Sequence, residues 1–248
     1  MRRTTAQLAL AIGVIAAFSG SDWLHFRGTD NRSVSEEKNL PKTFSDEENV
    51  AWKVPLPGRG PASPIVVAGP VIVTCSSGPR QDRLHVLSFD AGTGERRWER
   101  QLWATGSTIS HPFGAVADNP PASNAEVIVI FYSSNDLACF DLDGNLQWLR
   151  GLTYDYPTTR NAAGMGSSPL IVGDVVIVQL ENQGESFVAG IELATGETRW
   201  RLPRQRDAVW CSPTVLRGTT PEQDVVLLQT RGLFAGHAPG TGQRLWQY

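Results

Sequence analysis

The sequence predicts an all-β protein built from repeated four-stranded antiparallel sheets. Five of its eight tryptophans recur at nearly regular intervals, and a glycine stands four residues before four of them. Between them lie short runs rich in valine, isoleucine and leucine, bounded by glycine, proline, asparagine and aspartate. About four such runs in each period of roughly 50 residues are typical of the blades of a β-propeller. The spaced tryptophans are Trp52, Trp98, Trp148, Trp200 and Trp246.

A short motif ends four of the periods at a tryptophan. Its first copy reads Asp90-Ala-Gly-Thr-Gly94-Glu-Arg-Arg-Trp98. We expect a tight hairpin at the glycine, between the third and fourth strands, with the acidic residue accepting hydrogen bonds from turn amides. The tryptophan follows on the outer strand, where a large flat ring can fill the gap to the neighbouring blade. The residues predicted to be structural are therefore Trp52, Asp90, Gly94, Trp98, Asp141, Gly144, Trp148, Gly196, Trp200, Gly242 and Trp246.

The apolar runs predict the remaining strands in chain order. Those before the second to fifth spaced tryptophans are 63–67, 71–74 and 84–89; 127–132 and 137–140; 169–172, 175–180 and 187–193; and 213–216, 225–229 and 233–236. The second blade lacks a clear first run, and we expect its innermost strand to follow the segment 111–121. The chain is thus predicted to hold four blades.

The N-terminus predicts export. Arg2 and Arg3 precede an apolar run, 8–18, and small residues follow it at 19–21, as in a cleavable signal peptide. The run is shorter than the ~20 residues of a membrane-spanning helix, although a buried N-terminal helix is an alternative. We therefore expect a signal peptide at 1–21, an N-terminal extended segment at 22–49 and propeller repeats at 50–248. The protein is predicted to be periplasmic or extracellular and not membrane-spanning.

The charge of the chain argues against nucleic-acid binding, and the spacing of its cysteines argues against a redox or metal-binding motif. The formal net charge is −3, and no block of lysine or arginine stands out, so nucleic acid is not an expected partner. Cys75, Cys139 and Cys211 lie far apart without a C-x-x-C pattern. We expect them to be buried structural residues, with at least one thiol unpaired within the chain.

The spaced motif Asp-x-x-Thr-Gly-x-x-x-Trp resembles the pyrroloquinoline-quinone (PQQ)-like propeller repeat over residues 50–248. The segments 23–28 and 48–60 are similar to the opening of exported, BamB-like propellers of this type. That resemblance implies that Trp52 lies on a strand completing the last blade of a ring. Rings of the family are seven- or eight-bladed, so four blades are expected to be an incomplete ring. The chain is then either part of a longer protein or completed by self-association through open ring edges.

Members of this superfamily that are PQQ-dependent alcohol dehydrogenases resemble one another in four features. These are a catalytic aspartate, a calcium ion held by carboxylate and amide, a tryptophan under the quinone, and often a disulfide of adjacent cysteines. This sequence lacks the cysteine pair, and no aspartate, glutamate and asparagine set matches theirs. Asp141 and Asp143 suggest a calcium loop but lack its distal glutamate, and the four histidines lack metal-ligand spacing. No catalytic residue, metal or cofactor is therefore predicted. Binding of PQQ is suggested only by the family resemblance.

Loops that lead into the innermost strands form the predicted binding surface. In a propeller they converge around one mouth of the central channel, and binding residues concentrate on loops held by a rigid scaffold. The candidates are Arg59, His111, Asp118, Asn119, Arg160, Asn161, Asp207 and Trp210.

These observations favour an exported scaffold that binds a protein or peptide, as the BamB-like resemblance implies. Two alternatives stay open. One is a fragment of a PQQ-dependent quinoprotein dehydrogenase. The other is a module of a larger exported protein that binds a glycan or another polymer.

Overall fold

The computed structural model describes residues 21–159 and 164–248 of the chain. Within them lie sixteen strands and two short helices, and the strands form four antiparallel sheets of four. Each sheet takes its strands in chain order, from an innermost first strand to an outer fourth strand. This arrangement confirms the predicted all-β fold with four propeller blades.

The first two sheets follow the predicted apolar runs. The first consists of β1 (Ile65–Val66), β2 (Pro70–Ser77), β3 (Arg83–Asp90) and β4 (Arg96–Trp103). The second consists of β5 (Ala122–Ser123), β6 (Val127–Phe131), β7 (Asp136–Asp141) and β8 (Leu146–Gly151). A single-turn helix, α1 (Leu152–Asp155), follows β8. The central strands are rich in valine, isoleucine and leucine because both of their faces are covered.

The last two sheets repeat the same plan. The third consists of β9 (Leu170–Val172), β10 (Val175–Leu180), β11 (Phe187–Glu192) and β12 (Thr198–Pro203). The fourth consists of β13 (Thr214–Leu216), β14 (Val225–Gln229), β15 (Phe234–His237) and β16 (Arg244–Gln247). A 3-10 turn at Pro221–Gln223 lies in the connection between β13 and β14.

The register of the third and fourth strands is interrupted at one equivalent place in every sheet. The shift lies just before the motif turn, between the residues Ser88/Phe89, Cys139/Phe140, Gly190/Ile191 and Gly236/His237. Such bulges increase the local twist of a strand pair. They lie immediately before the turns over which the motif tryptophans pack.

The hydrophobic core lies between neighbouring sheets. Separate clusters join the first sheet to the second, the second to the third, and the third to the fourth. Phe131 and Phe187, for example, lie fully buried in the cluster shared by the second and third sheets. Burying each such side chain contributes about 1.5–3 kcal/mol. A sheet of this protein is thus stabilised mainly by the sheets on either side of it.

Each motif tryptophan that is followed by another described sheet contacts that sheet. The indole Nε1 of Trp98 donates a 2.9 Å hydrogen bond to the carbonyl oxygen of Leu142, beside the next motif turn. Equivalent bonds of 2.8 Å join Trp52 to Ala91, Trp148 to Leu193 and Trp200 to Pro239. Trp246 lies on the last described strand, has no such turn against it among the described residues, and is 39% exposed.

The motif glycine gives the tryptophan ring its space. Gly144 has a φ of 79°, which favours glycine, and a Cβ added to it would lie 2.8 Å from the ring of Trp98. The same crowding, at 2.6 to 2.7 Å, would occur at Gly94, Gly196 and Gly242. The turn therefore needs glycine both for its backbone conformation and for the close approach of the indole.

The N-terminal part of the repeat region differs from the expectation that the resemblance implied. Residues 50–56 form no strand, although Trp52 still bonds to Ala91. Instead, Trp52 and Val54 pack over a cluster on the face of the first sheet that includes Phe89. A strand needs a neighbour that supplies ladder hydrogen bonds, and no described strand lies alongside this segment. Residues 1–20 of the predicted signal peptide lie outside the described residues.

Candidate functional site

The sheets have two ends that differ in character. We call the end with the motif turns the turn face. At the opposite end, which we call the loop face, each outer strand leads into the innermost strand of the next sheet. Every described candidate lies on the loop face: Arg59 precedes β1, His111, Asp118 and Asn119 lie between β4 and β5, and Asp207 and Trp210 lie between β12 and β13. Arg160 and Asn161 lie outside the described residues.

One group of candidates lies between the first and second sheets. Arg59 donates a 3.2 Å hydrogen bond from Nη2 to the carbonyl oxygen of Pro112, next to the exposed His111. The carboxylate of Asp118 accepts a 2.6 Å bond from the amide of Ala115. Burial raises the pKa of Asp118, and this bond and the charge of Arg59 partly oppose that rise. The group thus brings an exposed guanidinium and a carboxylate held in the loop into the same region.

Asn119 follows this group and is buried. It is 1% exposed, and neither its amide nitrogen nor its amide oxygen has a hydrogen-bond partner among the described residues. Two prolines follow it and lead directly into β5. Asn119 therefore belongs to the packed base of the loop rather than to its accessible surface.

A second group lies between the third and fourth sheets. The indole Nε1 of Trp210 donates a 3.1 Å bond to the carbonyl oxygen of Gly164, and the ring lies over Gly166. Trp210 remains 57% exposed and lines a cleft of about 300 Å³ that also includes Phe26. Asp207 forms a 3.2 Å ion pair with the exposed Arg231. No hydrogen bond or ion pair among the described residues joins this group to the first, so the candidates form two clusters.

Exposed aromatic residues on the loop face escaped the sequence reasoning. Phe113 is 88% exposed, Tyr154 73% and Trp103 65%. They lie in or beside the connections that follow β4 and β8. The guanidinium of Arg83 lies 5.4 Å from the ring centroid of Trp103. Their signal in the sequence is the placement of aromatic residues in otherwise polar connections, where core packing does not require them.

Asp136 is a buried anchor of the loop face. Its carboxylate accepts hydrogen bonds from the amide of Thr105 at 3.0 Å, from the Thr105 hydroxyl at 2.6 Å and from the Ser134 hydroxyl at 2.6 Å. Burial raises the pKa of Asp136, and these hydrogen bonds oppose the rise. The carboxylate fixes the start of the connection between the first and second sheets against the β6–β7 turn.

A buried ion pair holds the corresponding connection after β12. Arg204 Nε lies 2.7 Å from Glu181 Oε1, with the two side chains 7% and 1% exposed. Burial raises the pKa of Glu181, and the bond to Arg204 lowers it in part. The Glu181 carbonyl oxygen also faces the amide of Val209 at 3.5 Å. The pair positions the start of the segment that carries Asp207 and Trp210.

Within the described ranges, the side chains do not assemble a metal centre. No group of three or more histidine, cysteine, aspartate or glutamate side chains there comes close enough to hold an ion. Cys75 and Cys139 are buried free thiols of the first and second sheets, whereas the free thiol of Cys211 is half-buried in the connection before β13. No helix in the same part of the chain is long and apolar enough to cross a membrane.

Nearly all of the repeat region matches one protein-family model. Residues 45–164 and 157–248 match the model described as outer membrane protein assembly factor BamB. The chain belongs to this family. The match confirms the PQQ-like propeller resemblance that the spaced tryptophan motif indicated. No curated protein sequence matches the chain as a relative.

Solved structures share the fold of this family member. BamB from Moraxella catarrhalis is 18% identical, with a TM-score of 0.52 over 80% of this chain and 54% of that one. The quinohemoprotein alcohol dehydrogenase ADHIIG from Pseudomonas putida HK5 is 16% identical, with a TM-score of 0.62 over 92% and 40%. A europium-containing methanol dehydrogenase is 14% identical, with a TM-score of 0.52 over 75% and 40%. The chain thus spans about half the length of the BamB structure and less of the dehydrogenases.

The described residues do not fit the quinone site that the dehydrogenase resemblance implies. That site needs carboxylate and amide oxygens converging on a cation, whereas the carboxylate of Asp118 binds an amide of its own loop and that of Asp136 binds Thr105 and Ser134. The buried amide of Asn119 belongs to the packed base of a loop, and the motif tryptophans are engaged between sheets. We therefore derive no step through a quinone from these residues.

Proposed function

We propose that this family member is an exported scaffold that binds a protein or peptide on its loop face. The observation that carries the proposal is the exposure of Trp103, Phe113, Tyr154 and Trp210 there. Aromatic residues of this kind, surrounded by polar groups, are enriched at the energetic centres of protein interfaces. Arg59 and Arg231 lie among them and supply the polar contacts.

The rigidity of the loop face supports this function. The buried Asp136 carboxylate and the Glu181–Arg204 pair hold the connections from within, so the aromatic residues are presented on a fixed frame. Fixing such residues before binding reduces the entropy lost on association. The matching family model is described as an assembly factor, which also favours a protein partner.

Export is the second part of the proposal. The signal-peptide pattern at 1–21 and the family supply its support. Intact-mass analysis of protein recovered from the periplasm or medium of a bacterium expressing the full chain would test it. We expect a mass lacking residues 1–21, and a full-length product retained in the cytoplasm would refute it.

Binding can be tested with a displayed library of random peptides as the probe. We expect enriched peptides to bind the purified protein and to lose about tenfold or more in affinity on Phe113→Ala or Trp210→Ala, because interface aromatics carry much of the binding energy. Leu149→Ala is the matched control, since Leu149 is 40% exposed but lies on the outer strand β8. Equal affinities for all variants would refute the loop-face site. Failure to enrich any peptide, combined with selective binding on a glycan array, would favour the carbohydrate alternative.

A further inference from the structure

The contact between the third and fourth sheets departs from the repeat. From the motif tryptophan onward, β4 of the first sheet, and β8 of the second together with the residue after it, read Trp-x-Arg-x-Leu. In β12 and the residue after it the two types change places, giving Trp-x-Leu-x-Arg. The residues concerned are Arg100 and Leu102, Arg150 and Leu152, and Leu202 and Arg204.

The exchange changes what contacts the next motif glycine. Arg100 donates a 2.7 Å bond to the carbonyl oxygen of Gly144, and Arg150 a 2.8 Å bond to that of Gly196. Leu202 can donate none, and the carbonyl oxygen of Gly242 instead faces Nδ1 of a histidine at 2.9 Å.

That histidine, His237, is also specific to the fourth sheet. It occupies the position before the motif turn where the other sheets have Phe89, Phe140 and Ile191. Because a carbonyl oxygen only accepts, Nδ1 of His237 carries its proton and Nε2 is left without one in the neutral ring. Nε2 is buried and has no hydrogen-bond partner among the described residues.

Around these residues lies a cleft of about 320 Å³. His237, 3% exposed, lines it from one side, and Arg204, 7% exposed at its side chain, lines it from the other. Nη2 of Arg204 also lacks a hydrogen-bond partner, since the ion pair to Glu181 uses Nε. Two side chains that line the same space thus each carry a buried polar atom without a partner, and such atoms are rare in folded proteins unless a ligand or water meets them.

The charge and shape of the cleft define what fits. The exposed Arg244 adds a second guanidinium to its lining. Glu181 offsets the charge of Arg204, which leaves one positive charge in excess and matches a single negative charge. Leu202 and Pro203 form an apolar part of the wall that suits an aliphatic stem.

We propose that this cleft between the third and fourth sheets binds the carboxylate of a small aliphatic acid or of an acidic peptide side chain. On binding, the two side chains turn toward the cleft, so that one carboxylate oxygen accepts a hydrogen bond from Arg204 Nη2 and the other faces Nε2 of His237, with Arg244 at the rim. Charge-assisted bonds of this kind are about twice as strong as neutral ones. The site lies apart from the aromatic loop-face surface and does not depend on the proposed function.

Binding is coupled to a proton. Burial lowers the pKa of His237, and the charges of Arg204 and Arg244 lower it further, against the carbonyl oxygen of Gly242, which raises it. A bound carboxylate favours the protonated ring, so Nε2 takes up a proton and donates it as a hydrogen bond to the ligand. Affinity therefore rises as the pH falls.

Nuclear magnetic resonance of the histidine rings tests the proposal, with butyrate and N-acetyl-glutamate amide as the two carboxylate probes. We expect either probe to shift the His237 signals and to raise the pKa of that ring, whereas butanamide leaves both unchanged. The tighter of the two probes identifies the source of the carboxylate. Equal responses to butyrate and butanamide would mean a water-filled cleft and would overturn the proposal, as would tighter binding of inorganic phosphate.

Three variants complete the test. Arg244→Gln should weaken butyrate binding about tenfold. His237→Phe restores the residue type of the first two sheets, fills the cleft and should abolish binding. Arg96→Gln, at the exposed arginine that occupies the corresponding position in β4 of the first sheet, is the matched control and should leave butyrate binding unchanged. Should His237→Phe fail to fold, undiminished butyrate affinity in Arg244→Gln would by itself overturn the site.

Discussion

The indole nitrogen of Trp148, in the second sheet, donates a 2.8 Å hydrogen bond to the carbonyl oxygen of Leu193, in the third. A Cβ added to Gly196 in the same turn would lie 2.7 Å from the indole ring. Trp148 is only 8% exposed. Indole, carbonyl oxygen and glycine thus form one joint, which recurs between the other sheets and can be dissected by single substitutions.

Truncating the tryptophan should reveal how much the joint contributes to the free energy of unfolding. Trp148→Ala is expected to lower the free energy of unfolding by about 3–5 kcal/mol, because it opens a cavity between two sheets. Trp246→Ala removes the same side chain where it is 39% exposed and should lower it by less than about 2 kcal/mol. Urea unfolding followed by circular dichroism measures both. Equal losses would contradict a role for the tryptophan at the joint.

The glycine of the joint has two roles, its left-handed backbone conformation and the space it leaves for the indole, and their costs can be measured separately. Gly196 and Gly173 both have positive φ, at 76° and 60°, but an added Cβ at Gly173 meets nothing within 4 Å. Gly173→Ala should therefore cost about 1–2 kcal/mol from strain alone. Gly196→Ala should cost a further 1–3 kcal/mol or so through collision with Trp148. Thermal unfolding measures the stability of the two variants. Similar stabilities would show that the indole moves aside at little energetic cost.

The regularity of these joints explains why the sheets were predictable. Tryptophan and glycine must recur at fixed positions wherever a ring crosses to the next turn. Each sheet was therefore marked by one tryptophan of the regular spacing, namely Trp98, Trp148, Trp200 and Trp246. The innermost strand of the second sheet was harder to locate. It contains only Ala122 and Ser123, which lack strand propensity and are held by pairing with β6.

Stability should depend on pH through His25. Burial lowers the pKa of this histidine to about 4, from 6.5. The unfolded chain thus binds the proton more readily, so stability is full above pH ~6.5 and falls as the pH drops toward 4. The stability lost through this titration over the whole range is about 3 kcal/mol.

His25→Asn removes the titrating ring and should flatten the decline between pH 6.5 and 4. The measurement is urea unfolding at half-unit steps of pH. The quantity compared between variants is the slope of the free energy of unfolding against pH. His111→Asn, at an exposed histidine, should keep the slope of the natural protein. A His25→Asn slope equal to that of the natural protein would rule out this origin.

The stability of the protein should depend on the carboxylate of Asp136 as a hydrogen-bond acceptor. Asp136→Asn preserves size but turns an amide NH₂ toward donors from Thr105 and Ser134, and we expect a loss of about 1–3 kcal/mol. Asp143→Asn, at an exposed aspartate of a motif turn, should change stability by less than about 0.5 kcal/mol. Calorimetry of both proteins decides. An unchanged melting temperature for Asp136→Asn would show that the carboxylate does not hold the connection.

The loop face was predictable only in outline. The sequence places its candidate residues on the connections between sheets but carries no pattern that divides them into two clusters. The contact of Trp210 with Gly164 joins residues 46 apart, and that of Arg59 with Pro112 joins residues 53 apart. Such pairings depend on how neighbouring sheets pack, and no local pattern encodes them. Asn119, predicted as part of the accessible binding surface, is buried for the same reason.

The joints also give folding a direction while the chain is being synthesised. Each indole precedes the carbonyl oxygen that it binds by 39 to 45 residues. A newly made sheet therefore leaves the ribosome with its tryptophan uncovered, and the ring gains its cover only when the following hairpin emerges. Folding during translation would proceed in one direction, and a pause within a hairpin would leave the preceding indole available to chaperones.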